Sequence, residues 1–476
     1  MKRCWPNRLP ETACANTIGF DWGESAMRLF FSLAAACAAL SVALFYGLPQ
    51  WLQARQIEAA AADVRLLNAE EPPPAAGQRN VFAALWLFNH DIPPAEQEEL
   101  VRRYGAAMNH SPQMMTDLAP RRLHEMEMES PACLEDTVAA CISQMRSDPA
   151  AIPNALAGRE RLLANIDALA DYDVFHHSYW PDGHSGVESL RMPNLRPLTQ
   201  EGTLYPLLLW QQQGAAAGLR QACRQMKTGR LLLQGRPGLI YPMVGSAVLR
   251  RNIDVAAHIL AEQPQLAGEL PDDCLEAFDP LPLAELSLCR AMRDEFRLYR
   301  QTVHDFAVSV AAERPWGWLT ALQMDEAHSE ARLAPHYAPA CRGSAADILG
   351  RDQAWPDMPP PRQGWAQRWA CIGNAAGCGL TADDMRVDFA GYVRRMQDSQ
   401  MRLNAMRALI ALYRLPPDAR RSAAVERILT VYSTPQRQLS LHGGQLHFPL
   451  YAPPKDQKRY PPALPVVAGF VVVDER

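Results

Sequence analysis

No CxxC pair occurs anywhere in this sequence, so its cysteines do not read as a metal site, and no cofactor is implied. The GxSxG elbow, HExxH, GxGxxG and the P-loop are also missing, and with them the common frameworks of catalysis and nucleotide binding. Gly183-His184-Ser185-Gly186 lacks the spacing of a nucleophile elbow. No block of Lys and Arg is long enough to follow a phosphate backbone, and the net charge is only −5, which argues against a nucleic-acid partner. Hydrophobic residues make up 48% of the chain, a composition able to bury a core rather than stay disordered. Long apolar runs are absent too, with one exception.

The exception runs from Leu29 to Ala54 without a charged residue, and its centre, Leu29 to Leu48, is long enough to cross a bilayer as a helix. Pro49 and Trp51 stand where the chain should leave the hydrocarbon, the depth that suits an indole. Lys2, Arg3, Arg8 and Arg28 precede the run, whereas Arg55 and Arg65 follow it within a similar distance. That bias puts the N-terminus in the cytoplasm and the rest outside an inner membrane. A cleaved leader starting at Met27 would need a small-x-small site closing the run before Tyr46, and none is there. A lipoprotein reading through Cys37 fails because its Leu33 is one place too distant and an apolar stretch follows the cysteine.

The eleven cysteines divide around this segment. Cys4, Cys14 and Cys37 lie before or within it, which leaves an even set beyond: Cys133, Cys141, Cys223, Cys274, Cys289, Cys341, Cys371 and Cys378. An even exported set predicts full oxidation in a periplasmic compartment. Spacing alone does not fix the pairing. Closing the shortest loops gives Cys133–Cys141, Cys274–Cys289 and Cys371–Cys378, with Cys223–Cys341 left over.

Five segments follow from the pattern: a cytoplasmic stretch over 1–26, a transmembrane helix over 27–50, and a juxtamembrane helix with a Pro-rich spacer over 51–78. A mostly helical periplasmic domain fills 79–434, and a small β-rich element 435–476. The expected fold class is therefore mainly α, with helical-hairpin, repeat-like units. Apolar residues at Met292, Phe296, Tyr299, Val303, Phe306 and Val310 alternate steps of three and four, one face of a long helix. A second long helix is expected from Thr381, where Thr-Ala-Asp-Asp384 resembles a capping box, to Tyr413, before Pro416 and Pro417. The two are candidates for an antiparallel hairpin. Leu204-Tyr205-Pro206 recurs as Ile240-Tyr241-Pro242, each followed by two helical stretches around a break, which hints at a helix–turn–helix repeat. In the tail, Gly443-Gly444 between Leu439–His442 and Gln445–Phe448 predicts a β-hairpin, with Val466 to Val473 as a third strand.

The densest polar and aromatic cluster is Asp171, Asp173, His176, His177, Trp180, Asp182 and His184. Three imidazoles among carboxylates are candidates for zinc ligation or acid–base work, although adjacent histidines diverge and Pro181-Asp182-Gly183 marks a turn. Asp325, Glu326, His328 and Glu330 share a short helical stretch, Asp325 and His328 on one face, and read as a solvated charged surface, as do Glu125, Glu127 and Glu129. His442 and His447 fall on the polar face of the hairpin, two ligands without a third. Trp316, Trp318, Trp355, Trp365 and Trp369 concentrate near Pro356 to Pro361, the composition of a recognition surface. The reading with most support is a membrane-anchored, non-catalytic interaction protein with a protein partner in the bacterial envelope. The alternative is an envelope hydrolase or metal enzyme working through His176, His177 and His184.

Overall fold

The structure is a computed structural model that describes residues 24–70, 73–105, 118–123, 137–176, 193–235, 238–313, 323–357, 364–381, 388–416, 423–452 and 462–467. It is mainly helical. The chain opens with α1 (Glu24–Val42), passes through a π-helical turn (Ala43–Gly47) and continues without a break as α2 (Leu48–Leu67). The π turn has a local cause. Pro49 cannot donate an amide N–H and would crowd the carbonyl four residues back, so the helix widens and Leu48 N–H reaches Ala43 O instead.

Side chains of α1 such as Leu29, Phe30, Leu33 and Leu40 are exposed, and the helix is long and apolar enough to span a membrane. α2 behaves differently. Leu52, Gln53, Ala60 and Leu67 are buried, with Gln56 and Val64 half-buried between them, a stripe at steps of three and four that lies against the domain. The juxtamembrane helix expected before a spacer is thus a packed element of the fold.

Central to the domain are α3 (Glu201–Gln213), α4 (Ala215–Leu233) and α5 (Ile240–Glu262), each packed on the next. Gly214, at φ 95°, makes the corner between α3 and α4. Where α4 crosses α5, a Cβ on Gly245 would stand 2.6 Å from Gly229 O, so the close approach requires glycine. The repeat hint fails here. The first Tyr-Pro unit has its break at Gly214, but the second lies in one unbroken helix, with Pro242 in the first turn of α5, where a missing N–H costs nothing.

Farther along come α6 (Asp272–Phe278), α7 (Cys289–Glu313), α8 (Glu326–Tyr337), α9 (Trp365–Ala370), α10 (Ala375–Leu380), α11 (Phe389–Tyr413) and α12 (Ala423–Tyr432). α7 buries Met292, Phe296 and Val303, as its spacing predicts, but it packs on α8, while α11 packs on α5 and α12. The expected pairing of the two long helices is therefore corrected. α11 also starts later than the capping-box reading places it. Asp388 is its N-cap, accepting from Gly391 N–H, whereas Thr381 closes α10 and residues 382–387 lie outside the described residues. Both sides of α11 are buried, from Phe389 and Met396 to Leu409 and Leu412, as befits a central helix.

The tail forms a three-stranded antiparallel sheet of β1 (Ser440–His442), β2 (Gln445–His447) and β3 (Ala463–Pro465), with Leu441 opposite Leu446 and Leu446 opposite Leu464. The third strand thus precedes the stretch expected from sequence, whose residues 468–473 lie outside the described ones. Leu446, Phe448 and Leu464 join the same hydrophobic core as α3 to α5 and α11.

Disulfides link Cys223 with Cys274, Cys289 with Cys341 and Cys371 with Cys378. The expected Cys274–Cys289 and Cys223–Cys341 pairs are therefore wrong. Helix packing decides the matter: α6 lies on α4, and the end of α8 lies beside the start of α7, which bring Cα atoms to 5.0 and 4.6 Å across long loops. Cys141 is also disulfide-bonded, and Cys133 lies outside the described residues. Among the described residues the free cysteine is Cys37, exposed on α1.

Candidate functional site

The junction where α2 enters the domain concentrates more buried polar chemistry than any sequence cluster indicated. Asp325 caps α8, its carboxylate accepting His328 N–H at 2.9 Å. That cap starts the helix so that His328 and Ser329 turn inward, and both are fully buried. Asn374, also fully buried, reaches over from the turn between α9 and α10: its Oδ1 accepts Asp325 N–H at 2.8 Å. Its amide nitrogen donates to His328 Nδ1 at 3.0 Å and to Asp325 O at 3.1 Å. An amide nitrogen can only donate, so Nδ1 is the acceptor and the imidazole proton sits on Nε2, facing Gln56 Oε1 of α2 at 2.9 Å.

Burial, and secondarily the nearby Arg332 charge, lower the pKa of His328 to about 4, so the ring is neutral at physiological pH. With both nitrogens engaged, it has neither a free lone pair nor a free proton to give a substrate. The arrangement holds helices together. Gln53 Nε2 donates to Ala370 O at 2.7 Å, and Arg342 Nη2 donates to both carboxylate oxygens of Asp63 at 2.7 and 2.9 Å. Arg332 donates to Thr381 Oγ1 at 2.9 Å. Gly377 sits so near this knot that a Cβ would fall 2.2 Å from Ser329 Oγ.

His328 was expected on a solvated face, which the structure corrects. Its neighbours do face solvent or other helices: Glu326 meets His304 at 3.1 Å and Glu330 meets Arg300 at 3.6 Å. Among the described residues no group of three or more His, Cys, Asp or Glu could hold a metal ion. Of the histidine cluster, His177 and His184 lie outside the described residues, as do Trp180 and Asp182. The backbone of His176 pairs with the Asn80 side chain, N–H to Oδ1 at 2.9 Å and C=O to Nδ2 at 2.5 Å. Glu125, Glu127 and Glu129 also lie outside. His442 and His447 stack face to face at 3.8 Å, an arrangement of touching ring faces rather than converging lone pairs. Burial, then the His442 charge, lowers the pKa of His447.

The tryptophans separate. Trp316 and Trp318 lie outside the described residues. Trp355 is in the core at 3% exposure, out of reach of a partner in this state. Trp365 is exposed, and Trp369 is half-buried with its ring 6.0 Å from that of Phe45 on the N-terminal helix.

A second buried node was not singled out by sequence. Arg437, 1% exposed, uses all five of its N–H groups. Nε and Nη2 form a fork on Asp352 at 2.9 and 2.5 Å, and Nη1 pairs with Asp398 at 2.7 Å. The carbonyls of Gln397 and Pro449 take the remaining two, and the Tyr451 ring lies 4.2 Å from the guanidinium carbon. Asp398 also accepts the N–H groups of Tyr451 and Ala452, although burial raises its pKa against these contacts. Asp352 takes a left-handed φ of 49°, which aspartate tolerates better than most residues.

No family model, curated protein or solved structure matches this chain.

Proposed function

We propose that the protein is a single-pass inner-membrane protein whose helical domain stands on the periplasmic side and acts there as a non-catalytic interaction protein of the bacterial envelope, with another protein as its partner. The observation that carries this reading is the dock of α2 on α8 and α9, where Gln53, Gln56 and Asp63 of the helix bond directly into the domain. A span that continues as a core element fixes the domain at one membrane face, which suits a scaffold. The two most buried cationic or basic side chains, His328 and Arg437, support the same view, because their hydrogen bonds go to holding helices. Lys2, Arg3, Arg8 and Arg28 ahead of the span favour a cytoplasmic N-terminus, and the cysteine pairs favour an oxidising compartment on the other side.

The test has two arms. Alkaline phosphatase fused after Gly77 is expected to be active, and a fluorescent protein that matures only in the cytoplasm dark at the same point; the reverse pattern overturns the topology. A photo-crosslinker in place of exposed Ile240 or Leu283 is expected to trap a discrete protein in intact envelopes. Stoichiometric zinc in the purified chain that is lost on replacing His176, His177 and His184 would instead favour the enzyme reading.

A further inference from the structure

α9 is short and lies along α2, fixed there by the hydrogen bond from Gln53 to Ala370 O. Its Trp365 is 65% exposed, and Ile372, in the turn just after it, is 45% exposed. Neither would be unusual on its own. Their position is informative, because Trp369 between them meets Phe45 and so brings this apolar surface against the N-terminal helix, on which Phe45, Tyr46 and Trp51 are exposed. The uncharged run ends at Ala54, and Arg55 lies 5.2 Å over the Trp51 ring at that boundary. Arg368 is exposed on α9 itself.

The other end of the domain gives the contrast. α8 runs parallel to α2, since His328 meets Gln56 and Arg342 meets Asp63. α7 runs antiparallel to α8, with His304 at Glu326 and Cys289 at Cys341. The C-terminal part of α7, carrying exposed Val308, therefore points back towards the apolar helix. Its N-terminal part lies near Leu66, which accepts Arg293 Nε at 3.1 Å, and near Leu239, whose N–H donates to Glu295 at 2.8 Å. Ile240 is thus at the far end, about 30 Å from Gly47 along the helix.

We propose that α9 and Ile372 form a second membrane contact, seated in the head-group layer of the same bilayer that α1 spans. Trp365, Trp369 and Ile372 enter the interface beside Trp51, the depth at which indoles are most favourable, while Arg55 and Arg368 meet lipid phosphates. One helix leaves the tilt of a domain free; a second contact beside it fixes that tilt. The inference rests on α1 as the membrane span.

Full-length protein is reconstituted in phosphatidylcholine vesicles containing a tagged phospholipid, with benzoylphenylalanine replacing Leu40, Trp365, Ile372 or Ile240 in turn. Lipid adducts are expected at positions 365 and 372 at several-fold the yield at 240, approaching that at 40. Adducts at 40 with only the yield of position 240 at 365 and 372 overturn the second contact and leave the span intact. A chain-to-chain adduct at 365 overturns it in favour of a second copy. Absence of lipid adducts at 40 overturns the span and the contact together.

Discussion

The two buried nodes solve one task with opposite chemistry. At the α2 dock, His328, Asn374, Ser329 and Gln56 form a neutral network between helices distant in sequence. At the tail, Arg437 joins α11, the Asp352 loop and the segment at Pro449–Ala452 through full charges. A neutral network loses a hydrogen bond when a member is removed. An ionic one leaves an uncompensated charge in a medium that solvates it poorly, so it is the more brittle of the two.

The largest effect should come from Arg437→Ala, which leaves Asp352 and Asp398 buried without their partner and is expected to cost about 3–5 kcal/mol in chemical denaturation. A loss below about 1 kcal/mol would show that water enters the tail and would dissolve the contrast. Next, Asn374→Leu removes the bonds to His328 and Asp325 without removing a charge, with an expected loss of about 1–3 kcal/mol.

The dock should respond to mild acid. An unfolded histidine titrates near 6.5, whereas His328 titrates at about 4, so between these values the unfolded chain binds more protons. Wild type should lose stability relative to His328→Gln as the pH falls from about 6.5 to about 4; a difference that stays flat across this window contradicts a neutral buried ring. The smallest effect is reserved for the solvated pair. His442→Ala and His447→Ala should each stay within about 0.5 kcal/mol, setting the baseline for polar residues that hold nothing together.

Local periodicity made α7 legible: its apolar steps depend only on neighbours along one helix. The same holds for the Gly443-Gly444 turn, whose glycines take φ of 59° and 69°. What could not be read were contacts between distant segments. His328 looks like a surface residue because its burial is supplied by Gln56, and no local pattern announces that the juxtamembrane helix docks there. Arg437 lies in a Thr-Pro-Gln-Arg stretch that carries no periodic signal, and its partners come from three other segments. Short-loop reasoning misassigned Cys274 because α4, far upstream, offers the nearer sulfur. The capping-box pattern placed the start of α11 at Thr381, whereas the side chain that caps the helix is Asp388, which accepts Gly391 N–H.

The unbroken passage from α1 into α2 has a mechanical consequence. A flexible stalk would let the domain swivel while its root stayed still, and force at one end would dissipate before reaching the other. Here Leu52, Ala60 and Leu67 are wedged into the domain, so the helix acts as the shaft of a key. Rotation or tilting of α1 turns the whole domain with it, and a load on the domain is felt as torque inside the apolar segment. The π turn at Ala43–Gly47 is the one weakened section of that shaft, and bending should concentrate there.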